Sequence, residues 1–327
     1  MSAVLVTGAS STLGERLVRS LLADDEVDHV LAVGLKEPEA ALPFSQSARF
    51  TYLQVDLSKS RDFRRLLFGP ARDLHVETVF HTAQVESAAG EGRYVRALNV
   101  ESTRQLLELA EHHPTIRRLV YRSFAEVYQV QADLPALIEE DHPLNLAAGA
   151  PQWIRDRVEA DLTVCAAMGL SRLRIAVLRC AEVLAPGCGS QLHDYLESPV
   201  CFRPAGYNPM INVLSVRDLV HAMELAYRSS HQGVFNVPGR DTLPLSTAIL
   251  KWGSVGVPVP SPWLTPIYAW RRRVTGHDFR FGMNRRRFTY SGILDGTRAR
   301  TVLGYQPEQG IDWPLPVSEA WGPGWKG

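Results

Sequence analysis

The residues with the clearest chemical role stand at the start of the chain, where the apolar run 3–6 leads into a glycine turn and then a helical pattern. At such a strand-to-helix turn the backbone N–H groups point outward and the helix dipole favours an anion. This geometry suits the pyrophosphate of a dinucleotide. We therefore predict that contacts to a dinucleotide come from the turn residues Gly8, Ser10, Ser11, Thr12, Leu13 and Gly14.

Short apolar runs separated by helical patterns must position this turn. The predicted strands lie at 30–33, 52–55, 79–80, 119–121 and 175–178. The predicted helices include 13–23 and 153–168. Short buried strands that alternate with helices pack into a parallel sheet with helices on both faces. The sequence therefore predicts an α/β fold with a Rossmann-type, doubly wound parallel sheet.

The composition changes after Pro186, where prolines, glycines and short segments replace the regular alternation. We predict a dinucleotide-binding domain at 1–180, to which 208–240 returns. A smaller, irregular substrate- or partner-type part is predicted for 181–207 and 241–327. Ligands of such folds lie at the carboxyl ends of the strands, so we expect the smaller part to cover that edge.

The 327 residues carry 35 basic and 35 acidic side chains. A net charge of zero provides no overall field that would attract nucleic acid, so we expect no nucleic-acid partner. The four cysteines show neither C-x-x-C spacing nor a neighbouring histidine cluster, which predicts free thiols and no metal site. We find no signal peptide and no apolar run of about 18 residues, which predicts a soluble cytoplasmic protein without a transmembrane segment.

Further motifs follow the glycine turn in order. They are Val55-Asp56-Leu57, His81-Thr82-Ala83, Asn99-Val100, Val127-Tyr128, Leu178-Arg179, the segment 213–219 with Asp218, and 233–237. Together they resemble the extended short-chain dehydrogenase/reductase family, the group of nucleotide-sugar epimerases and dehydratases. The resemblance implies that Asp56 and Leu57 lie on the adenine side of a bound cofactor and that His81, Thr82 and Ala83 line its cleft. It also implies a homodimer formed through two long helices.

The resemblance implies a catalytic group from which this chain departs. Family enzymes use a Ser or Thr hydroxyl, a tyrosine that exchanges a proton with the substrate, and a lysine four residues later that holds the ribose and lowers the pKa of the tyrosine. Here the three positions carry Phe124, Trp153 and Arg157, and only the fourth expected group, Asn99, is retained. None of the four lysines follows a tyrosine by four residues, so the Tyr-x-x-x-Lys pair is absent from the sequence.

The replacements do not copy the lost chemistry. An indole N–H does not titrate usefully, and a phenylalanine ring offers no hydrogen bond. Arg157 keeps a charge that could hold a ribose or phosphate, but the pKa of a guanidinium, above about 12, excludes the role of the lysine. Glu126 stands where related dehydratases carry a base, and a solvated surface carboxylate is the alternative interpretation.

The expected cofactor is NADP or NAD, with binding weakened or lost. Ser11 stands where the family has its middle glycine, so its side chain crowds the pyrophosphate while its hydroxyl offers a compensating hydrogen bond. The second strand ends without the acidic residue that would hold the ribose hydroxyls of NAD. Lys36 stands nearby and could meet a 2′-phosphate, which favours NADP; a solvated lysine is the alternative.

Two basic clusters, 271–273 and 285–287, lie in a segment that also contains Trp263, Trp270 and Phe281. Interleaved aromatic and basic residues are typical of a face for an anionic small molecule, such as a nucleotide diphosphate, or for peripheral contact with anionic lipid. A packed helix with solvated arginines is the alternative.

Three functions are compatible with these residues. The first, which we favour, is a non-catalytic member of the family that binds a nucleotide or a protein partner as a sensor, regulator or scaffold. The second is an NAD(P)-dependent oxidoreductase, epimerase or dehydratase that acts on a nucleotide sugar or a lipid-like alcohol with unorthodox catalytic groups. The third is a lyase or isomerase that uses Glu126 without turnover of a redox cofactor.

Overall fold

The computed structural model describes residues 2–37, 47–147, 149–276 and 278–314. Its strands are β1 (Ser2–Thr7), β2 (Val27–Gly34), β3 (Phe50–Gln54), β4 (Val76–His81), β5 (Arg118–Phe124), β6 (Leu137–Ile138), β7 (Arg174–Cys180), β8 (Glu182–Val183), β9 (Val200–Pro204), β10 (Met210–Leu214), β11 (Gly233–Val237), β12 (Asp241–Pro244), β13 (Val255–Val259) and β14 (Ile293–Leu294). Its α-helices are α1 (Thr12–Ala23), α2 (Ser60–Leu66), α3 (Arg93–Arg96), α4 (Ser102–Glu111), α5 (Gln152–Ala167), α6 (Gln191–Leu196), α7 (Val216–Arg228), α8 (Leu245–Lys251), α9 (Ser261–Thr275) and α10 (Phe281–Asn284). A π-helical turn (Ala97–Glu101) joins α3 to α4.

Within the described residues, seven parallel strands form the central sheet in the order β3-β2-β1-β4-β5-β7-β11. Successive side chains of a strand point to opposite faces, so Val4 of β1 joins the core beneath α1 and α7 while Leu5 joins the core beneath α2 and α4. Both faces are covered, which is why the strand interiors are mainly apolar. The predicted fold class, a Rossmann-type doubly wound α/β sheet, is confirmed.

Helix α1 begins at the glycine turn because the local sequence supplies its N-terminal cap. Ser11 has extended backbone angles, and its hydroxyl accepts a hydrogen bond from the Gly14 N–H at 3.1 Å. A Cβ atom at Gly14 would lie 2.2 Å from the Gly8 carbonyl oxygen, so the helix can approach the turn this closely only with glycine there. The apolar stripe that includes Leu17 and Leu21 then packs α1 onto the sheet.

The smaller part of the chain contains three small sheets among the described residues, β8-β10-β12, β9-β13 and β6-β14. Its core is aromatic, with the ring centroids of Tyr195 and Phe288 4.8 Å apart. Within the segment 208–240, β10 pairs with β8 and β12, while β11 pairs with β7 of the central sheet. The Asn212 amide fixes β10 there by donating to the Gly239 carbonyl at 2.9 Å.

Among the described helices, none combines the length and the hydrophobicity that a bilayer crossing requires. The same part of the chain contains no group of three or more His, Cys, Asp or Glu side chains arranged to hold a metal ion.

Candidate functional site

An open cleft of about 390 Å³ lies beside the glycine turn. Gly8 lines it with a positive φ of 71°, and a Cβ atom there would lie 2.9 Å from the Ala83 Cα. The turn therefore lies against the chain that follows β4 more closely than a side chain would permit. The cleft volume falls within the range of roughly 300–1,000 Å³ that is typical of small-molecule sites.

The predicted contact residues divide between this cleft and the structure around it. Those that line the cleft are Gly8, Ser10, Ser11, Lys36, Leu57, Thr82 and Ala83. Those that the structure describes outside its lining are Thr12, Leu13, Gly14, Asp56, His81, Asn99 and Arg157. Glu86 and Tyr94, which the sequence did not single out, also line it.

His81 lies behind the cleft wall and is fully buried. Its ring nitrogens lie 2.9 Å from Thr7 Oγ1 and 3.2 Å from Thr103 Oγ1. Burial lowers the pKa of His81 to about 4, so the ring is neutral at neutral pH. The expectation that His81 lines the cleft is corrected, because its ring joins β1 and β4 to α4, and only the neighbouring Thr82 and Ala83 reach the cleft.

The side chains of Asn99 and Asp56 accept hydrogen bonds from backbone N–H groups around the cleft. Asn99 Oδ1 accepts a hydrogen bond from the Val85 N–H at 2.8 Å, which braces the chain after β4 against the π-helical turn. Asp56 Oδ1 accepts hydrogen bonds from the Ser58 N–H at 3.1 Å and the Ser58 hydroxyl at 2.6 Å. Both side chains therefore position the walls of the cleft.

The three replaced catalytic positions lie together in one stack. The Arg157 guanidinium carbon lies 3.5 Å from the centroid of the Phe124 ring and 3.6 Å from the centroid of the Trp153 ring. All three side chains are buried. A desolvated cation over an aromatic face contributes on the order of 2 kcal/mol of interaction free energy. The three replacement side chains therefore stabilise one another.

Arg157 also binds a loop and a carboxylate. Its Nη2 donates to the Gly189 carbonyl at 3.1 Å, and its Nη1 lies 3.1 Å from Glu126 Oε1. Burial lowers the pKa of Arg157 to about 10, which leaves the guanidinium charged at neutral pH. Burial alone would raise the pKa of Glu126, but the charges of Arg157 and Arg287 hold it below its ordinary value. Glu126 is therefore an ionised member of a buried ion pair.

A second carboxyl group, Glu182, lies near this pair. It accepts a hydrogen bond from the Ser190 hydroxyl at 2.7 Å, and its other oxygen lies 3.1 Å from Arg287 Nη1. Burial and the negative charge of Glu126 raise the pKa of Glu182 to about 7. Glu182 and Arg287 line a small cavity together with Asn284. Two carboxyl groups with opposite pKa shifts are a pattern found in acid–base sites.

The loop 187–189 fills the space between the glycine turn and the stack. Arg122 Nη2 donates to the Cys188 carbonyl at 2.6 Å, and Cys188 is fully buried. Burial raises the pKa of the Cys188 thiol, and the charge of Arg122 opposes that increase.

Glu86 stands beside this loop at the end of the open cleft. A Cβ atom at Gly187 would lie 3.1 Å from Glu86 Oε2 and 3.3 Å from Thr12 Oγ1, so the loop, the carboxylate and the start of α1 are neighbours. Burial raises the pKa of Glu86, and the charges of Arg122 and Lys36 oppose that increase.

In the two basic clusters Arg273, Arg285 and Arg286 are exposed, while the other three arginines are half-buried. Arg287 forms its ion pair with Glu182, and Arg271 Nη1 donates to the Val200 carbonyl at 2.5 Å. On α9, Trp263 and Trp270 are exposed.

A family model described as "NAD dependent epimerase/dehydratase family" matches residues 4–237, which is more than half of the chain and spans the central sheet. The chain belongs to this family. The resemblance inferred from the sequence motifs is confirmed.

Among the relatives of this epimerase/dehydratase chain, an uncharacterized protein of Mycobacterium tuberculosis is 29% identical over 314 residues, covering 93% of this chain and 80% of the relative. A dTDP-glucose 4,6-dehydratase of Streptomyces griseus is 26% identical over 345 residues, covering 97% and 93%. Two solved structures have a TM-score of 0.68 at 17% identity, covering 94% of this chain and 92% of each neighbour. They are dTDP-glucose 4,6-dehydratase of Bacillus anthracis and UDP-glucuronic acid 4-epimerase of Bacillus cereus, each in complex with NAD. These structural likenesses support the fold.

The cleft that contains Gly8, Leu57 and Lys36 has open space for an adenosine group. Beyond the glycine turn, Arg122 and Arg157 donate hydrogen bonds to the carbonyls of Cys188 and Gly189, so the loop 187–189 lies next to the stack around Arg157.

Four residues that close the site were not identified from the sequence. Arg122 follows the apolar run of β5, and a charge inside a buried strand signals a buried partner. Gly187 and Gly189 have φ values of 66° and 67°, and such a pair of glycines signals the tight turn that buries Cys188. Glu86 carries no comparable local signal.

Proposed function

We propose that this protein is a non-catalytic member of the epimerase/dehydratase family that acts by binding, with a nucleotide in the open cleft as the signal it senses. The observation that carries this proposal is the stack of Arg157 between Phe124 and Trp153. The stack supports a binding role because it fills the place of the catalytic group with buried, mutually packed side chains.

The chemistry of the stack supports the same conclusion. Proton transfer to or from a substrate hydroxyl needs a group whose pKa lies near the working pH. The pKa of Arg157 is about 10, so its guanidinium does not accept a proton at neutral pH. The indole N–H of Trp153 is buried without a hydrogen-bond acceptor among the described residues, and Phe124 has no polar atom.

The cleft also bears on which nucleotide binds. Lys36 lines it, and the Tyr52 hydroxyl holds the Lys36 carbonyl at 2.8 Å. An ammonium at this position favours a 2′-phosphate over free ribose hydroxyls. We therefore include in the proposal a preference for ligands that carry the 2′-phosphate by which NADP differs from NAD.

A second candidate is an enzyme of the same family that uses unorthodox acid–base groups, with or without NAD(P) turnover. It is favoured by Glu182, whose pKa of about 7 would let it donate and accept protons at neutral pH. Glu126, the base proposed from the sequence, is a weaker candidate because its ion pair with Arg157 holds its pKa low. This candidate requires turnover by the wild-type chain and its loss in Glu182→Gln.

The test compares the wild-type chain with a variant that restores the family's groups, Phe124→Ser with Trp153→Tyr and Arg157→Lys. Both are incubated with oxidised or reduced nicotinamide cofactors and a panel of nucleotide sugars and alcohols, while nicotinamide absorbance is followed. We expect no change with the wild type, and turnover gained by the restored variant would show that these groups are the missing ones. Arg155→Lys, an exposed change on the same helix, is the matched control. Turnover by the wild type contradicts the proposal.

A further inference from the structure

We infer that the cleft is a half-site, which accepts an adenosine mononucleotide such as AMP and excludes a complete dinucleotide. The inference rests on the proposed function, since a catalytic member of the family would need the nicotinamide half. It departs from the cofactor that the family name implies, and the chain's own loop is the reason.

The open half has the composition of a small-molecule site. Its walls include the apolar side chains Val33, Leu57 and Leu98, while Ser11 and Lys36 supply polar groups at the cleft surface. Apolar walls with a few polar groups are what an adenine ring and a single phosphate require. Lys36 adds a positive charge to the cleft that attracts an anionic nucleotide.

The other half is filled by protein. Thr12 lies in the first turn of α1, whose backbone N–H groups would hold a pyrophosphate, and the loop 187–189 with the buried Cys188 lies beside it. A Cβ atom at Gly187 would lie 3.1 Å from Glu86 Oε2 and 3.3 Å from Thr12 Oγ1, so the loop leaves little space between them. A second phosphate and the ribose beyond it would therefore overlap with the loop 187–189.

Two buried arginines hold the loop in place. Arg122 donates to the Cys188 carbonyl at 2.6 Å and Arg157 donates to the Gly189 carbonyl at 3.1 Å. Hydrogen bonds from charged donors are stronger than those between neutral groups. Because Arg157 and Arg122 also stack on Phe124, the replaced catalytic positions and the closed loop form one continuous unit.

The loop sequence is fitted to this closed arrangement. Gly187 and Gly189 both have positive φ, which other residues adopt at a cost. A Cβ atom at Gly189 would lie 2.9 Å from Arg157 Nη2, so a larger residue would displace the guanidinium that anchors the loop. The glycines thus permit the contact that closes the nicotinamide half.

The experiment measures binding of AMP and of NAD to the full chain by isothermal titration calorimetry. We expect AMP to bind and NAD to bind at least about tenfold more weakly. Arg122→Met removes one anchor of the loop and should raise NAD affinity by about tenfold while AMP affinity stays unchanged. Arg118→Met is the matched control, because Arg118 is on the same strand but at its other end.

Each outcome supports or overturns the half-site. The half-site is overturned if NAD binds to the wild type as tightly as AMP does, or if AMP fails to bind. Neither result contradicts the proposal that the protein is non-catalytic. Turnover by the wild type overturns the proposed function instead, whatever the affinities are. The comparison of AMP with NAD on the wild type is decisive even where Arg122→Met fails to fold.

Discussion

The Arg157 guanidinium lies 3.6 Å from the ring centre of Trp153, which precedes it by one turn of α5. Residues four apart on a helix share a face, and in family enzymes this spacing presents a tyrosine and a lysine to the cofactor. In this chain the same spacing brings a ring and a cation into contact. The tyrosine and lysine that take part in proton transfer in family enzymes are thus replaced here by Trp153 and Arg157, whose side chains pack against each other.

Removal of Arg157 should destabilise the fold. Arg157→Ala leaves Glu126 buried without its ion-pair partner and empties the space between two rings. Loss of one member of a buried ion pair costs about 3–5 kcal/mol, so we expect the free energy of unfolding in urea to fall by about 3 kcal/mol or more.

Two further variants identify the cause of that loss. Arg155→Ala changes an exposed arginine of the same helix and should alter the free energy of unfolding by less than about 0.5 kcal/mol. Glu126→Gln combined with Arg157→Met removes both charges and should recover much of the lost stability. An Arg157→Ala protein as stable as the Arg155→Ala protein would show that the stack is not a stabilising unit.

The buried His81 should make stability depend on pH. Its pKa is about 4 in the folded chain, below the ordinary value of 6.5, so the unfolded chain binds a proton more readily between these values. Stability from this group is complete above pH about 6.5 and decreases as the pH falls toward about 4, by about 3 kcal/mol in all.

The measurement is the difference in free energy of unfolding between wild type and His81→Gln across this pH range. The difference isolates His81 from groups such as Glu182, whose raised pKa acts in the opposite direction. A difference that does not vary with pH would mean that the pKa of His81 is the same in the folded and the unfolded chain.

The cleft should distinguish the position of a phosphate on the ribose. We predict that adenosine 2′-phosphate binds several-fold more tightly than adenosine, and that Lys36→Gln removes this advantage because the ammonium is lost. Lys59→Gln is the control, since Lys59 pairs with Asp56 and does not line the cleft. The affinities come from titration calorimetry, and an advantage that survives Lys36→Gln would place the phosphate elsewhere.

The homodimer implied by the family can be tested on α5. Leu162 is 40% exposed and lines a shallow surface cavity with Leu146. We predict a dimer that uses this surface, so Leu162→Asp should yield a monomer in light-scattering chromatography because the substitution places a charge in an apolar contact. Leu170→Asp, on an exposed residue after the helix, should leave the mass unchanged. A monomeric wild type would contradict the prediction.

Much of the fold could be predicted from the sequence because its signals are local. The glycine turn, the apolar runs and the helical patterns each lie within a few residues, and their order fixes the sheet. The sheet to which Met210–Leu214 belongs was less predictable, because its apolar character suits a strand of the central sheet or of a small sheet. Its position depends on the contact of Asn212 with Gly239, which is distant in the sequence.

The site was less predictable than the fold because its contacts join distant segments. The sequence identifies Phe124, Trp153 and Arg157 as replaced positions, but their stacking depends on the packing of α5 against β5. The role of Cys188 likewise depends on Arg122, which is 66 residues earlier in the chain. His81 could be assigned to the cleft from its motif, and only burial shows that its ring points behind the wall.

We propose that the wild-type chain binds a nucleotide but does not convert a nucleotide sugar. The most direct measurement is a proton NMR time course of the purified wild type with dTDP-glucose or UDP-glucose and added NAD or NADP. We predict that the sugar signals stay unchanged, with no epimer and no keto sugar, over a period in which an active epimerase or dehydratase control converts its substrate. Accumulation of either product with the wild-type chain, at a rate comparable to that control, would contradict the claim.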